Sequence, residues 1–188
     1  MSRNLNDIQV LVTRNIPVPG IDMLRQKGFS VTAWPHERPM TDEELVTEAR
    51  KHNVILCVSA DNIGTDFINT CSHLQMISQF AVGYDNIDVP LATKLRIPIG
   101  YAPGAMNEAT ADIAFGLMIA VARKFFYMHK GILRGEWTYF KPNAHLGIEL
   151  NNKTLGIFGL GRIGMAMARR CKGAVSYTHL TLPTIYSV

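Results

Sequence analysis

Three glycines late in the chain have the type and spacing to hold a phosphate group. In Thr154-Leu155-Gly156-Ile157-Phe158-Gly159-Leu160-Gly161-Arg162-Ile163-Gly164-Met165-Ala166-Met167-Ala168-Arg169-Arg170, a short apolar run precedes G-x-G-x-x-G, and an alanine- and methionine-rich segment follows it. The order reads as strand, tight turn and helix. Gly159 permits the sharp turn, Gly161 lets backbone approach a pyrophosphate with no Cβ in the way, and Gly164 lets the helix pack close to its strand. The helix start adds unpaired N–H groups and the positive end of a dipole. Glycine-rich turns of this kind also occur where nothing binds. Here both flanks fit, which favours dinucleotide binding.

An acidic residue about 20 positions further on is expected to hold a ribose hydroxyl. No Asp or Glu follows Glu149. The last stretch, Ala174-Val175-Ser176-Tyr177-Thr178-His179-Leu180-Thr181-Leu182-Pro183-Thr184-Ile185-Tyr186-Ser187-Val188, also breaks the composition of the chain before it. It is similar to the translated adapter sequence that ends many unrelated environmental reading frames, and residues 174–188 are read as a non-native tail. The alternative is a second strand, Ala174 to Thr178, followed by a proline-marked turn.

The elements that must position this turn begin with Ile8 to Thr13, a β-branched run suited to a buried parallel strand. Pro17, Pro19 and Gly20 mark a turn into a helix that ends near Gly28, and Phe29 to Trp34 reads as the second strand. Thr41-Asp42-Glu43-Glu44 is a capping box opening a second helix. Val54 to Val58, Leu74 to Phe80 and Ile97 to Tyr101 read as three more strands. Helices are expected from Thr65 to Cys71 and from Leu91 to Leu95, the latter announced by Asp88 and Pro90. Five strands alternating with helices specify an α/β domain with an open parallel sheet of the flavodoxin-like kind over residues 1–103.

Ligands of such sheets sit beyond the carboxyl ends of the strands. By that rule the loops Ser59 to Asn62 and Ala81 to Asp85 face one crevice, where backbone N–H groups at Gly83 could hold a small carboxylate. Gly83 serving only its turn is the equal alternative. Pro103-Gly104 reads as a hinge, followed by one long helix from Asn107 to Lys130, about 36 Å in length. Asn107 is its expected cap, and the apolar run Ile113 to Ala122 is expected to be buried. Thr110, on the first turns, either points a hydroxyl at a cofactor phosphate or caps locally.

Composition narrows the classes. Of 188 residues, 47% are hydrophobic and 18% charged, which excludes a disordered or fibrous chain. The net charge of +4 comes from scattered lysines and arginines and an acid-free end, so no nucleic-acid partner is expected. Ile113 to Ala122 is too short for a bilayer, which needs about 20 residues, and no signal peptide is read at the N-terminus. Cys57, Cys71 and Cys171 show no C-x-x-C pairing and are read as reduced thiols of a cytoplasmic protein. No metal site is expected.

With these pieces placed, the chain resembles the D-isomer-specific 2-hydroxyacid dehydrogenases, and among them the glyoxylate/hydroxypyruvate reductases. The resemblance rests on Val12-Thr13-Arg14-Asn15-Ile16-Pro17, Ala81-Val82-Gly83-Tyr84-Asp85-Asn86-Ile87-Asp88, Asn107-Glu108-Ala109-Thr110-Ala111-Asp112, Arg134-Gly135-Glu136-Trp137 and the glycine turn. It implies a substrate domain followed by a Rossmann domain that binds NAD or NADP, begun here over residues 104–173, with the active site between the two. It further implies that Ser59, Val82 and Gly83 border or contact the substrate. Thr110, Gly159, Leu160, Gly161, Arg162, Ile163 and Gly164 are then expected at the cofactor.

In the family, a histidine donates a proton while a hydride reaches C2 of a small 2-oxo acid, a glutamate orients the histidine, and an arginine binds the substrate. All three lie beyond the part of the family matched here, so the chain by itself is expected to be inactive. His36, His52, His73, His129, His145 and His179 are accordingly read as surface or structural histidines. A homodimer is expected at full length, since the long helix lies at the family's subunit interface. A non-enzymatic, corepressor-like relative that binds dinucleotide to control association is the alternative. A truncated dimerising partner is a third reading.

Overall fold

In the computed structural model, residues 5–174 and 177–181 are described, the last five through their backbone. The chain divides into two compact units, Met1–Pro103 and Gly104–Val188. In the first unit the aliphatic run Gln9–Val12 forms β1, and Val18–Gln26, with proline in its first turn, forms α1. There follow β2 (Ser30–Ala33), α2 (Asp42–Ala49), β3 (Val54–Cys57), α3 (Thr65–Thr70), β4 (Met76–Gln79), α4 (Val89–Lys94) and β5 (Ile99–Tyr101). All four strand pairings are parallel, and the order is β2-β1-β3-β4-β5. This is the flavodoxin-like order expected of the alternating pattern.

Strand alternation divides the core. Leu11, Ile55, Cys57 and Ile77 point to one face, where Leu45 and Ala49 of α2, Phe67 and Ile68 of α3 and Ala92 of α4 cover them. Val12 and Leu56 point to the other, against Ile16 in the loop before α1 and Ile21 of α1. Both reciprocal bonds of the capping box form: Glu44 N–H donates to Thr41 Oγ1 at 3.2 Å, and Thr41 N–H to Glu44 Oε2 at 2.9 Å. Asp88 caps α4 by accepting Leu91 N–H at 3.0 Å.

The second unit corrects the single long helix. Asn107–Ala122 forms α5 and Phe125–Leu133 forms α6, with Lys124 between them in the left-handed region at φ 56°. A continuous helix would direct Phe126 N–H to Ala122 O. That carbonyl instead accepts Ile148 N–H at 2.7 Å. Gly147 lies so close that an added Cβ would stand 2.7 Å from Ala122 O. The returning loop therefore ends α5 after 16 residues, about 24 Å. Met106, not Asn107, occupies the cap position of α5 and uses no side-chain bond, because Asn107 is already helical and donates its N–H to Gly104 O. The apolar run is not buried as expected: Ile113 is 67% exposed and Val121 72%, while Ala111 and Ala120 are buried.

Thr154–Phe158 forms β6, Arg162–Cys171 forms α7, and Tyr177–Thr181 forms β7, parallel to β6. A strand after α7 thus stands at Tyr177–Thr181, three residues beyond the start of the alternative at Ala174. The rest of the stretch read as foreign lies in part outside the described residues.

Candidate functional site

Because every strand of the first sheet runs the same way, all its carboxyl ends meet at one edge. β3 and β4 are neighbours there, about 4.8 Å apart, and Phe80 N–H donates to Cys57 O at 2.8 Å just past the ladder. The loops carrying Ser59 and Val82-Gly83 consequently leave the sheet side by side. Ser59 is exposed, Val82 is 38% exposed and Gly83 is half-buried. Gly83 is absent from the described glycines with positive φ, which are Gly28, Gly104, Gly135 and Gly159. A Cβ built on it would make only an ordinary 3.5 Å contact with Asp85 Oδ2. Neither the turn nor crowding by the protein requires a glycine at that position. Tyr84 and Tyr101 meet edge to face with ring centres 5.0 Å apart and give this edge an apolar rim.

A polar network unrecognised in the sequence holds the two loops. Asp61 is buried and accepts Thr13 Oγ1–H at 2.5 Å and Val58 N–H at 3.0 Å, while its other oxygen pairs with Arg14 at 2.9 Å. Asn86 Nδ2 donates to Asp61 O at 2.9 Å and to Val58 O at 3.3 Å, and its Oδ1 accepts Gln79 Nε2 at 2.7 Å. Cys57 Sγ–H donates to Gln79 Oε1 at 3.0 Å. Burial, with the Asp61 carboxylate adding to it, pushes the Cys57 thiol up to about 12, so it stays protonated and unreactive. The one signal the sequence offers is the polar Gln79 that ends β4, on the same face of the strand as Ile77.

In the second unit Gly159 turns the chain after β6 at φ 92°. A Cβ on Gly164 would overlap the Gly159 carbonyl oxygen, whereas one on Gly161 would meet nothing within 4 Å. Gly161 is the cap residue of α7 and supplies no side-chain bond to the helix start. Leu160 and Ile163 are half-buried and Arg162 is exposed. The geometry fits a phosphate cradle: a forced turn, a forced close packing, and open space in front of the middle glycine. Thr110 is exposed one turn into α5. Its neighbours Glu108 and Asp112 pair with Arg170 at 2.7 and 2.5 Å, and Glu108 also pairs with Arg169 at 2.9 Å. Hydrogen bonding to Arg170 holds the Glu108 carboxyl below its ordinary range. These pairs join the first turns of α5 to the last turn of α7, about 12 Å along the helix from the glycine turn.

Several histidines have structural partners. His52 Nδ1–H donates to Glu48 O at 2.7 Å, and His73 Nε2–H to His52 O at 3.2 Å, so both serve the carboxyl end of α2. His145 lies against Tyr127, with centres 5.5 Å apart. The side chain of His179 lies outside the described residues. Among the described residues there is no cluster suited to a metal ion, and no helix is long and apolar enough to cross a membrane.

The family model for the D-isomer specific 2-hydroxyacid dehydrogenase catalytic domain matches residues 10–187. The chain belongs to this family. Among 2-hydroxyacid dehydrogenase relatives, it is 37% identical over 169 residues to the glyoxylate reductase of Thermococcus onnurineus, covering 88% of this chain and 50% of that protein. The glyoxylate reductase of Pyrococcus furiosus is 38% identical over 169 residues, with 88% and 50% covered. The chain therefore spans about half the length of the curated relatives it matches. Among solved structures, the TT0316 protein of Thermus thermophilus superposes with a TM-score of 0.85 at 30% identity, covering 95% of this chain and 58% of that one.

Proposed function

We propose that the chain is the N-terminal part of an NAD(P)-dependent reductase that converts a small 2-oxo acid, glyoxylate or hydroxypyruvate, to its D-2-hydroxy acid. The single observation that carries the reading is the adjacency of the Ser59 and Gly83 loops at the carboxyl edge of the sheet, in a chain whose curated relatives are glyoxylate reductases. The N–H groups of Val82 and Gly83 hold the substrate carboxylate, Gly83 being a glycine so that the substrate can come close, and Ser59 borders the same space.

The residues of the glycine turn would hold the cofactor. Gly159, Leu160 and Gly161 form the cradle, Arg162 and Ile163 lie against the pyrophosphate, Gly164 keeps α7 seated and Thr110 lies nearby. When bound, a nicotinamide dinucleotide supplies the hydride equivalent that reduces C2. The arginine, glutamate and histidine that complete the reaction lie beyond this chain, which by itself binds without turnover. The full-length protein pairs as a homodimer, with the exposed apolar side chains of α5 and α6 supplying the surface.

The test is to read the source DNA past the codon for Gly173, express the complete frame, and follow NADH and NADPH consumption with glyoxylate and hydroxypyruvate. Turnover with either acid is expected, and the preferred nucleotide is read from the same assay. A complete frame that binds dinucleotide but reduces neither acid overturns the reading in favour of a corepressor-like relative.

A further inference from the structure

We propose that Asn86 is a positioning residue for the substrate carboxylate, its side-chain amide fixing the Ser59 loop and the Gly83 loop at one separation. The proposal rests on the reading of Gly83 as the carboxylate contact. Asn86 stands three residues after Gly83, and its two Nδ2 hydrogens go to Val58 O and Asp61 O, the carbonyls that flank Ser59 and Ala60. Its Oδ1 is held by Gln79 from the end of β4, and its own main-chain carbonyl accepts Ile63 N–H at 3.1 Å. One residue thus grips the other loop before and after the exposed tip.

The amide orientation is forced. Two carbonyl oxygens accept only from the NH2 group, and the Gln79 NH2 meets only the oxygen. The tip itself has no apolar anchor, since Ser59 and Ala60 are both exposed. Asp61 ties the same loop to β1 through Thr13 and Arg14, on the far side from Asn86. The loop is therefore braced between β1 and the Gly83 loop; the backbone bridge of Ile63 to Ile87 joins the two loops further on, and the Asn86 side chain is the brace next to the Ser59 tip. An aspartate of the same size would set one carboxylate oxygen against both Val58 O and Asp61 O and remove both donors.

The experiment uses the protein expressed from the complete frame, nitrogen-15 labelled and titrated with sodium oxamate, a 2-oxo-acid mimic that cannot be reduced. Saturable shifts at the Gly83 and Ser59 amides are expected. Asn86→Ala and Asn86→Asp should weaken oxamate binding at least about tenfold, because the two loops are then no longer preorganised at one separation. Hydrogen-exchange protection at Ile55 and Ile77 in the core of the sheet should be unchanged. Thr13→Val, which removes one bond of the Asp61 brace and leaves Asn86 intact, should weaken binding by less.

Variants that bind oxamate like the unaltered chain overturn the role of Asn86 alone. Weaker binding that comes with equally lowered protection at Ile55 and Ile77 overturns it too, as general loosening. No saturable shift at Gly83 in the unaltered chain overturns the carboxylate reading, and this proposal with it.

Discussion

Gly161 and Gly164 sit three residues apart in one motif, yet the protein constrains them oppositely. A methyl group on Gly164 runs into the Gly159 carbonyl oxygen, while one on Gly161 meets open space. Gly164→Ala should therefore lower the stability of its unit by about 1–3 kcal/mol through overpacking. Gly161→Ala, at a cap position where alanine is less favoured than glycine, should destabilise less than Gly164→Ala and weaken dinucleotide binding sharply, because the methyl group intrudes on space that only a pyrophosphate would fill. Thermal scans of the two variants beside nucleotide titrations separate the effects. Equal destabilisation by both would remove the argument that Gly161 is kept open for a ligand.

At the scale of elements, α2 shows how much of its start a helix can place in one carboxylate. Glu44 accepts Thr41 N–H and pairs with Arg38 at 2.6 Å, and these bonds, the Arg38 pair first, hold its carboxyl at about 2 against an ordinary 4.5. A carboxyl depressed on folding favours the folded state above its ordinary value, and that contribution disappears as pH falls from about 4.5 towards 2. The pair is exposed, so the effect is small. Glu44→Gln should flatten this part of the acid-unfolding curve, and an identical curve for the variant would contradict it.

The same box was legible in the sequence because its partners lie three residues apart. So were the five parallel strands, whose β-branched runs are bounded by turn residues. The break between α5 and α6 was not legible, because Ala122 O is captured by Ile148, far along the chain, and helix periodicity carries no trace of that. The Asp61–Asn86 network was hidden for the same reason. Asp61 and Asn86 each read locally as ordinary loop residues, and only the pairing of β3 with β4 brings them together.

At the scale of the whole molecule, the two units are unequal. The first has a five-stranded sheet with Leu11, Ile55 and Ile77 essentially inaccessible, and the second has two described strands, with Phe158 85% exposed. Two-stranded sheets are marginal without further cover. Amide exchange at Leu11, Ile55 and Ile77 should be far slower than at Leu155 and Gly156, and comparable protection in the two sheets would contradict this.

The uniform direction of the first sheet also sets a tempo. Val10 pairs with Val31 on one side and Val54 on the other, and Ile77 pairs with Ile99, so no ladder can close as a hairpin. Each pairing must wait for an intervening crossover to be built, and chains dominated by such distant pairings cross their barrier in about milliseconds to seconds rather than microseconds. While they do, the hydrophobic runs of β1 and β3 remain uncovered. A nascent chain of this kind spends longest at risk of sticking to its neighbours before its central strands meet.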